Sequence, residues 1–459
     1  MLERLPFTSA NAPSRSAALQ LSFQERLDQS QWWSPDAIRA YQLRKLAKLC
    51  QHAWQTIPFY RERLAAAGFR PGVELRPDCW RHLARLTRRE IRALGEQLQS
   101  PELPEDHGRI FPQRTAGSTG TPIGMLATTL TQTLYNAIRL REPIWHRRDF
   151  SRKLAIIRRL PDGQAPYPEG EVDARWADER VFPFPTGPLA RLNACSDPDQ
   201  QIEWLQRQGA RYLLTHPSNL RTLVERCRER SIMFPSLAEI ATEGEVVSQD
   251  LRDACRTAWK LPVVDHYEAE EAGYIALQCP DGGGYHIQSE VILAEILDES
   301  GRACRPGEIG RVTVTPLFNY AMPMLRYELD DCAEVGEACT CGRGLPTLHR
   351  ILGRLRNSLI LPGGERCWPD FGAPRLPQIA PILQHQFVQT DLDRIEARLV
   401  VARPLSEEDE TRLRAHVLAC LPCPFRIDLV YWAEIPRGPG GKQEDFISEI
   451  AAARALAPA

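Results

Sequence analysis

The sequence lacks both long apolar runs and a strong net charge. No run of about 18 consecutive apolar residues occurs, and the segment Met1 to Arg15 shows no apolar stretch before its Ser/Pro-rich part. The formal net charge is only −2 at pH 7, which gives no electrostatic reason to expect nucleic acid or an anionic membrane as a partner. We therefore expect a soluble, cytoplasmic protein that binds neither.

Cysteine is plentiful but is not arranged like a disulfide framework. The 13 cysteines are an odd number spread over a long chain, which argues against a secreted disulfide scaffold and favours reduced thiols with one metal site. A chain of 459 residues with 43% hydrophobic content is too long for one ordinary core. We expect two or three domains.

A run rich in glycine and hydroxyl residues at 114–122 is the feature around which the chain is organised. Such a backbone can curl so that its N–H groups and hydroxyls converge on an anion. A Walker A loop is excluded, because Thr121 and Pro122 stand where that motif needs Lys and then Ser or Thr. The run predicts a phosphate cradle, with an ordinary surface loop as the alternative. Its candidate ligands are Thr115, Gly117, Ser118, Thr119 and Gly120.

Strands and helices alternate in the middle of the chain, which argues for βαβ units and a largely parallel sheet. The predicted strands lie at 212–215, 240–244 and 263–267, and the predicted helices at 129–145, 201–208, 218–230 and 249–259. A Pro/Gly-rich segment at 160–189 has no periodicity and is predicted to be a functional loop or a disordered insertion. Ligands of such sheets bind at the carboxyl ends of the strands, where Gly244, Glu245, Tyr267 and Glu271 fall.

The pattern restarts beyond Pro369. Alternating strands are predicted at 386–389 and 395–401, followed by a helix that begins at Ser406 with Asp409 at the capping-box position. A further strand at 425–432 completes a small α+β unit. We therefore divide the chain into domains 1–353 and 354–459.

Four metal-ligating side chains occur in two pairs within 279–341. Cys279 and His286 bracket a three-glycine turn, and Cys339 and Cys341 follow about fifty residues later. One His and three Cys can hold a structural zinc ion in a closed tetrahedral site. Scattered buried thiols are the alternative interpretation.

Taken in order, these motifs resemble those of the AMP-forming adenylating enzymes, which include acyl-CoA synthetases, adenylation domains and luciferases. The N-terminal pattern around 58–61 and 86–92 is similar to the phenylacetate–CoA ligase-like branch, and the resemblance covers nearly the whole chain. The ordered elements are the run at 114–122, Gly244-Glu245, Tyr267-x-x-x-Glu271, Arg326-Tyr327 with Asp331, Gly353-Arg354, and Pro436-Arg437 with Lys442.

The resemblance implies a role for each matched residue. Tyr267 would stack near adenine and Glu271 would hold Mg²⁺ on the ATP phosphates. Asp331 would take the ribose hydroxyls, and Arg354 would reach ribose and phosphate at a hinge. Lys442, on a Gly-rich turn, would reach the carboxylate and the α-phosphate. Thr115, Glu271 and Lys442 are thus the implied catalytic residues; some relatives also carry a similar Cys/His set around zinc.

The implied fold is α/β, with a large multi-sheet N-terminal adenylating domain and a small mobile α+β C-terminal lid. The implied reaction is attack of a carboxylic acid, of aryl or arylacetic type, on ATP to give an acyl-adenylate, which is then transferred to an acceptor. CoA is the favoured acceptor. An amide-forming ligase or an adenylyltransferase of secondary metabolism, and a degenerate nucleotide-binding module, are the alternatives; a homodimer stays open.

The sequence departs from the family pattern at four places. Glu270 replaces the usual Thr, Arg356 and Asn357 replace an acidic hinge pair, 328–330 fills the Arg-Tyr motif unusually, and a basic residue after Gly-x-Pro is missing. These departures leave the acid and the acceptor unidentified.

Overall fold

The computed structural model describes residues 14–115, 122–178, 180–369, 371–372, 376–436 and 444–450. The helices in these ranges are α1 (Arg15–Ser30), α2 (Pro35–Thr56), α3 (Pro58–Ala66), α4 (Pro77–His82), α5 (Arg88–Leu94), α6 (Thr129–Trp145), α7 (Pro198–Gln208), α8 (Pro217–Glu229), α9 (Gln249–Trp259), α10 (Leu376–Ile379) and α11 (Glu407–Ala419). None of them combines the length and apolarity that crossing a bilayer would need.

Among the described residues, strands alternate with helices between positions 189 and 269, and the strands from 263 to 367 follow one another without an intervening α-helix. The described strands are β1 (Ile110–Arg114), β2 (Gly124–Thr128), β3 (Leu154–Arg158), β4 (Glu171–Asp173), β5 (Leu189–Asn193), β6 (Tyr212–Thr215), β7 (Glu239–Thr242), β8 (Val263–Ala269), β9 (Gly273–Gln278), β10 (Tyr285–Ile287), β11 (Ile292–Leu297), β12 (Ile309–Pro316), β13 (Tyr327–Val335), β14 (Thr347–Arg354), β15 (Leu359–Ile360), β16 (Arg366–Cys367), β17 (Ile382–Asp391), β18 (Arg394–Val401), β19 (Arg426–Tyr431) and β20 (Phe446–Ser448).

Twelve of the described strands join in one sheet, in the order β11-β12-β13-β14-β10-β9-β8-β7-β6-β3-β5-β4. The run β5-β3-β6-β7-β8 is parallel, because helices such as α8 and α9 carry the chain back between successive strands. From β8 onward the pairs β8-β9, β9-β10 and β10-β14 are antiparallel. The α/β prediction is confirmed, but the parallel run comprises only five of the twelve strands, so the expectation of a largely parallel sheet was wrong.

Residues 160–189 are more ordered than the sequence predicted. Within them, β4 pairs antiparallel with β5, and Trp176 donates its indole N–H to the carbonyl of Arg152 at 2.8 Å. Trp176, Phe182 and Phe184 are buried in one aromatic cluster. Apolar burial outweighs the Pro/Gly composition of this segment, so the predicted alternative of a disordered insertion was wrong for these residues, and a functional loop stays a prediction.

The described residues divide into two compact units. The larger comprises 14–115, 122–329 and 333–351, and the smaller comprises 330–332 and the described residues from 352 onward. The smaller unit has its own four-stranded sheet, in the order β19-β18-β17-β20, with Phe387, Leu399 and Leu413 in its core. Ser406 and Asp409 form the predicted capping box of α11.

Candidate active site and metal centre

Helix α5 is a short helix whose start is fixed by a capping box. Thr87 accepts a hydrogen bond from the backbone N–H of Glu90, and the Glu90 carboxylate accepts one from the backbone N–H of Thr87 at 2.7 Å. Arg63 pairs with the same carboxylate at 2.9 Å. These contacts hold the first turn, because a capped helix end satisfies N–H groups that otherwise lack partners. They thereby fix the position of Arg88, the first residue of the helix.

The Arg88 guanidinium joins two residues that the motifs placed in the nucleotide site. Its Nη1 donates to Glu271 Oε1 at 2.9 Å, and its Nη2 lies 3.4 Å from Thr115 Oγ1. Tyr327 adds a hydroxyl contact to Glu271 Oε1 at 3.4 Å. The Arg88 and Glu271 side chains are 19% and 8% exposed, so solvent screens their pairing only weakly. Two distant sequence segments, those of Arg88 and Tyr327, thus contact the Glu271 carboxylate, and Arg88 links it to Thr115.

Thr115 is held at the entry to the Gly/Ser/Thr run. Its Oγ1 accepts the backbone N–H of Ile123 at 2.9 Å, and its own N–H donates to the Ile123 carbonyl at 3.1 Å. The two contacts join Thr115, after β1, to Ile123, before β2. The other predicted cradle residues and the predicted catalytic lysine lie outside the described residues; they are Gly117, Ser118, Thr119, Gly120 and Lys442.

Tyr267 lies in the last half of β8, and the Gly244-Glu245 pair follows the carboxyl end of β7. Tyr267 is 6% exposed and belongs to the same buried cluster as Tyr327. Gly244 has φ +78°, a left-handed conformation that favours glycine. Glu245 accepts the N–H of Ser218 at 2.9 Å and its hydroxyl at 3.1 Å. Its carboxylate therefore satisfies the first turn of α8, a contact that the motif did not predict.

Arg326, in the Arg-Tyr element, is a buried clamp. With a φ of +52°, it donates to the carbonyls of Arg81 and Leu83 at 2.7 and 2.8 Å and pairs with Glu295 at 3.3 Å. It is 3% exposed. The clamp fixes the end of α4 and the start of β13, and so the tyrosine that follows it.

The two remaining motif residues belong to the smaller unit. Asp331 lies within β13 and is partly buried, and Arg354 is the last residue of β14. Beyond it, Arg356 pairs with Glu444 at 2.7 Å, and Asn357 donates to the carbonyl of Phe446 at 2.5 Å. The unusual hinge pair therefore ties this segment to residues just past position 442.

The structure brings the four predicted Cys and His side chains together. The Sγ atoms of Cys279 and Cys339 are 3.7 Å apart, and Cys341 Sγ lies 3.3 Å from His286 Nε2. All four ligand atoms lie within 4.8 Å of one another. Zinc–sulfur bonds of about 2.3 Å in a tetrahedron place two sulfurs about 3.8 Å apart. The residues present therefore fit a zinc ion.

The surroundings of this cluster suit metal ligation. His286 Nδ1 lies 3.3 Å from the carbonyl of Leu345, which orients the ring and leaves Nε2 toward the thiols. Burial lowers the pKa of His286 to about 4, so the imidazole is neutral at pH 7. Burial raises the pKa of Cys341, but hydrogen bonds from Arg343 and the neighbouring thiols lower it overall.

Two features of the site were not found by sequence reasoning. Arg88 is part of the N-terminal pattern, but the sequence predicted no role for it, because its partners Thr115 and Glu271 are 27 and 183 positions away. A second group, formed by Glu243, His266 and Glu268, also has its ligand atoms within 4.8 Å of one another. Burial lowers the pKa of His266, but its neighbouring carboxylates, Glu268 first, raise it to about 9 overall. The only sequence signal was the polar composition after β7 and in β8.

The fold is that of the AMP-forming acyl-CoA ligases. A 2-hydroxyisobutyryl-CoA ligase in the postadenylation state, in complex with 2-HIB-AMP, superposes with a TM-score of 0.68 at 19% identity, over 90% of both chains. An open conformation of that ligase with 2-HIB-AMP and CoA gives a TM-score of 0.55 at 20% identity, over 88% of this chain and 90% of that one. An anthranilate–CoA ligase bound to anthranoyl-AMP gives 0.53 at 15% identity, over 76% and 67%.

In sequence, the chain is similar to a phenylacetate–coenzyme A ligase of Thermus thermophilus. The two are 27% identical over 221 residues, which are 46% of this chain and 49% of the relative. The match thus spans about half the length of that curated relative. No protein-family model matches the chain. The resemblance to phenylacetate–CoA ligases and the AMP-forming ligase superfamily that the motifs indicated is confirmed.

Proposed function

We propose that the chain activates a carboxylic acid with ATP to an acyl-adenylate and transfers the acyl group to CoA. The observation that carries this proposal is the convergence of Thr115, Arg88 and Glu271, at 3.4 and 2.9 Å. These residues come from the phosphate-loop entry, a capped helix and the Tyr-x-x-x-Glu motif. The neighbours that bind acyl-AMP and CoA support the reaction class, and an aryl or arylacetic acid is the substrate type we propose.

The charges of the site fit the first half-reaction. Attack of a carboxylate on the α-phosphorus of ATP builds negative charge on the phosphate oxygens, which cationic and N–H groups stabilise best when they are already in position. Arg88 is such a group, since its helix end is capped and its guanidinium is held by Glu271. The Thr115 hydroxyl, fixed by Ile123, is a further phosphate contact.

Mg²⁺ and zinc have separate places in this proposal. Glu271 would hold Mg²⁺, which would supply charge neutralisation on the phosphates when bound, with Arg88 orienting the carboxylate that receives it. Zinc would be held by Cys279, His286, Cys339 and Cys341 and would be structural, because four protein ligands leave no open position. Tyr267, Asp331 and Arg354 are proposed nucleotide contacts, on the motif resemblance.

Lys442 is proposed to act only while pyrophosphate leaves. It falls in the sequence of the smaller unit, which has its own core, so a rotation of that unit would bring the lysine to the site and take it away. The Arg356–Glu444 pair, two residues past Lys442, ties this part of the chain to the segment after Arg354.

The proposal is tested by product analysis with ATP, Mg²⁺, CoA and a panel of aryl, arylacetic and aliphatic acids. We expect AMP release that depends on one class of acid, with a matching acyl-CoA. Glu271→Gln should abolish both products, whereas Glu96→Gln, an exposed carboxylate, should leave them unchanged. AMP release without a thioester, restored by an amine, would assign an amide-forming ligase. Transfer of AMP itself to a hydroxyl would assign an adenylyltransferase.

A further inference from the structure

A second constellation of metal-ligating groups lies at the carboxyl edge of the parallel strands. Glu243 follows β7, and His266 and Glu268 belong to β8. One ligand atom from each lies within 4.8 Å of the other two. Metal bonds of about 2.1 Å place two ligand atoms at most about 4.2 Å apart. Side-chain adjustments of less than an ångström would therefore close the set around one ion.

His266 supplies an independent sign that this site takes a ligand. Its side chain is 9% exposed, and its Nε2 is buried without a hydrogen-bond partner. The nearest carboxylate oxygen, Glu268 Oε1, is 3.7 Å away, which is beyond hydrogen-bond length. A buried ring nitrogen without a hydrogen-bond partner is costly, and a cation that displaces the Nε2 proton and binds this nitrogen removes that cost.

The carboxylates are oriented in the way that supporting groups orient metal ligands. The hydroxyl of Tyr135 donates to Glu268 Oε2 at 3.1 Å, and this leaves Oε1 on the side of His266. Tyr135 is itself fixed by stacking on Tyr274, with ring centroids 4.8 Å apart. Such outer contacts hold a ligand in its binding orientation.

We propose that Glu243, His266 and Glu268 bind one divalent transition-metal ion, of the Zn²⁺, Co²⁺ or Ni²⁺ type. An imidazole ligand selects such ions over Mg²⁺, which prefers oxygen alone. The dipositive charge balances the two carboxylates. Arg158 lies 3.7 Å from Glu243 and could compete with the ion for this carboxylate. Its side chain is 44% exposed, so solvent screens the ion pair and the arginine can move into solvent when the ion binds.

The site has room for a further ligand. The side chains of Glu243 and Glu268 are 21% and 28% exposed, so three protein ligands leave open positions on the ion. The carboxyl ends of parallel strands are where ligands of α/β sheets bind. The ion would therefore accept an oxygen or nitrogen donor from a bound small molecule, and this inference does not depend on the proposed ligase activity.

Cobalt uptake tests the site. The protein as purified is dialysed against micromolar Co²⁺, bound cobalt and zinc are counted by mass spectrometry, and the visible spectrum is recorded. We expect one cobalt per chain in addition to the metal already present, with weak bands of oxygen and nitrogen ligation. Glu243→Gln should weaken binding by at least about ten-fold, and His266→Gln should abolish it at the same concentration. The matched control is Glu229→Gln, an exposed carboxylate on α8, which should bind like the wild type.

Three results would overturn the proposal. The first is that the wild type takes up no extra cobalt, which is the behaviour expected of a metal-free imidazolium–carboxylate pair. The second is that cobalt binds with an intense thiolate charge-transfer band while zinc is lost, which would place the cobalt in the Cys/His centre. The third is that the Glu243→Gln and His266→Gln variants, with unchanged circular dichroism, bind cobalt as the wild type does.

Discussion

Arg88 holds Glu271 by an ion pair of 2.9 Å between Nη1 and Oε1. The pair joins the capped helix α5 to the loop after β8, and the second arm of the guanidinium reaches Thr115. A cation that is fixed beside a candidate Mg²⁺ ligand and beside the phosphate-loop entry can serve the nucleotide in two ways. It orients the carboxylate, and it adds positive charge where phosphates would bind.

Replacing Arg88 should therefore affect both stability and activity. Arg88→Ala leaves a largely buried carboxylate without its ion-pair partner, and we expect a loss of about 1–3 kcal/mol in the free energy of unfolding, together with slower adenylate formation. Arg89→Ala removes an exposed arginine one position further on and serves as the control. If the two variants had equal denaturant midpoints and equal rates of ATP–pyrophosphate exchange, the Arg88–Glu271 pair would not have its proposed role.

The capping box of α5 should make stability depend on acid pH. Burial raises the pKa of Glu90, but hydrogen bonds from Thr87 and the ion pair with Arg63 lower it overall. The stabilisation is thus fully present above the unfolded-state pKa and is lost as pH falls through the lower folded-state pKa. We expect Glu90→Gln to be less stable by about 1 kcal/mol at pH 7.

The difference between wild type and Glu90→Gln should shrink as pH falls below the unfolded-state glutamate pKa of about 4.3, since the wild-type carboxylate is protonated as pH falls through its lower folded-state pKa. Denaturant unfolding at a series of pH values measures it, with the exposed Glu96→Gln as control. Parallel stability curves for wild type and Glu90→Gln would show that the capping carboxylate contributes nothing specific.

The Cys/His centre should hold about one zinc ion per chain. We expect Cys341→Ser to lose the metal and to melt several degrees lower, because a structural zinc contributes directly to folding. Cys195→Ser changes a free, exposed thiol and should retain zinc and melting temperature. Metal analysis and thermal melts decide the matter: a stable, zinc-free wild type, or a Cys341→Ser protein with full zinc, argues for buried thiols alone.

Lys442 should matter for only one half-reaction. Loss of a positioned donor at the reacting phosphate costs about 3–4 kcal/mol, or a hundred- to a thousand-fold in rate, so Lys442→Ala should suppress adenylate formation by that order. Given a chemically prepared acyl-adenylate, the variant should still transfer the acyl group. Lys48→Ala, an exposed lysine on α2, should alter neither step. An equal fall in both half-reactions would mean that Lys442 holds the domains together.

The sequence predicted what depends on neighbouring residues. The capping box of α11 is set by Ser406 and Asp409, three positions apart, and helices α6 and α9 have the predicted bounds because their apolar periodicity is local. The convergence of the four Cys and His side chains was also predictable, since a three-glycine turn joins one pair and a single residue separates the other.

What the sequence did not predict depends on distant packing. The Arg88–Glu271 pair spans 183 positions, and the Glu243–His266–Glu268 group depends on the register between β7 and β8. The strand at Glu171–Asp173 lies in a Pro/Gly-rich segment, where local composition predicted no strand. In each case the structure depends on a tertiary contact, which the local sequence pattern does not contain.

Carboxylate-dependent exchange of pyrophosphate with ATP tests the central claim most directly, because it needs only the first half-reaction and no acceptor. With radiolabelled pyrophosphate, Mg²⁺ and the acid panel, we predict exchange that appears with one class of acid, disappears in Glu271→Gln, and falls a hundred- to a thousand-fold in Lys442→Ala. Absence of exchange with every acid, in a protein shown by calorimetry to bind ATP, would contradict the account and assign a nucleotide-binding module without ligase activity.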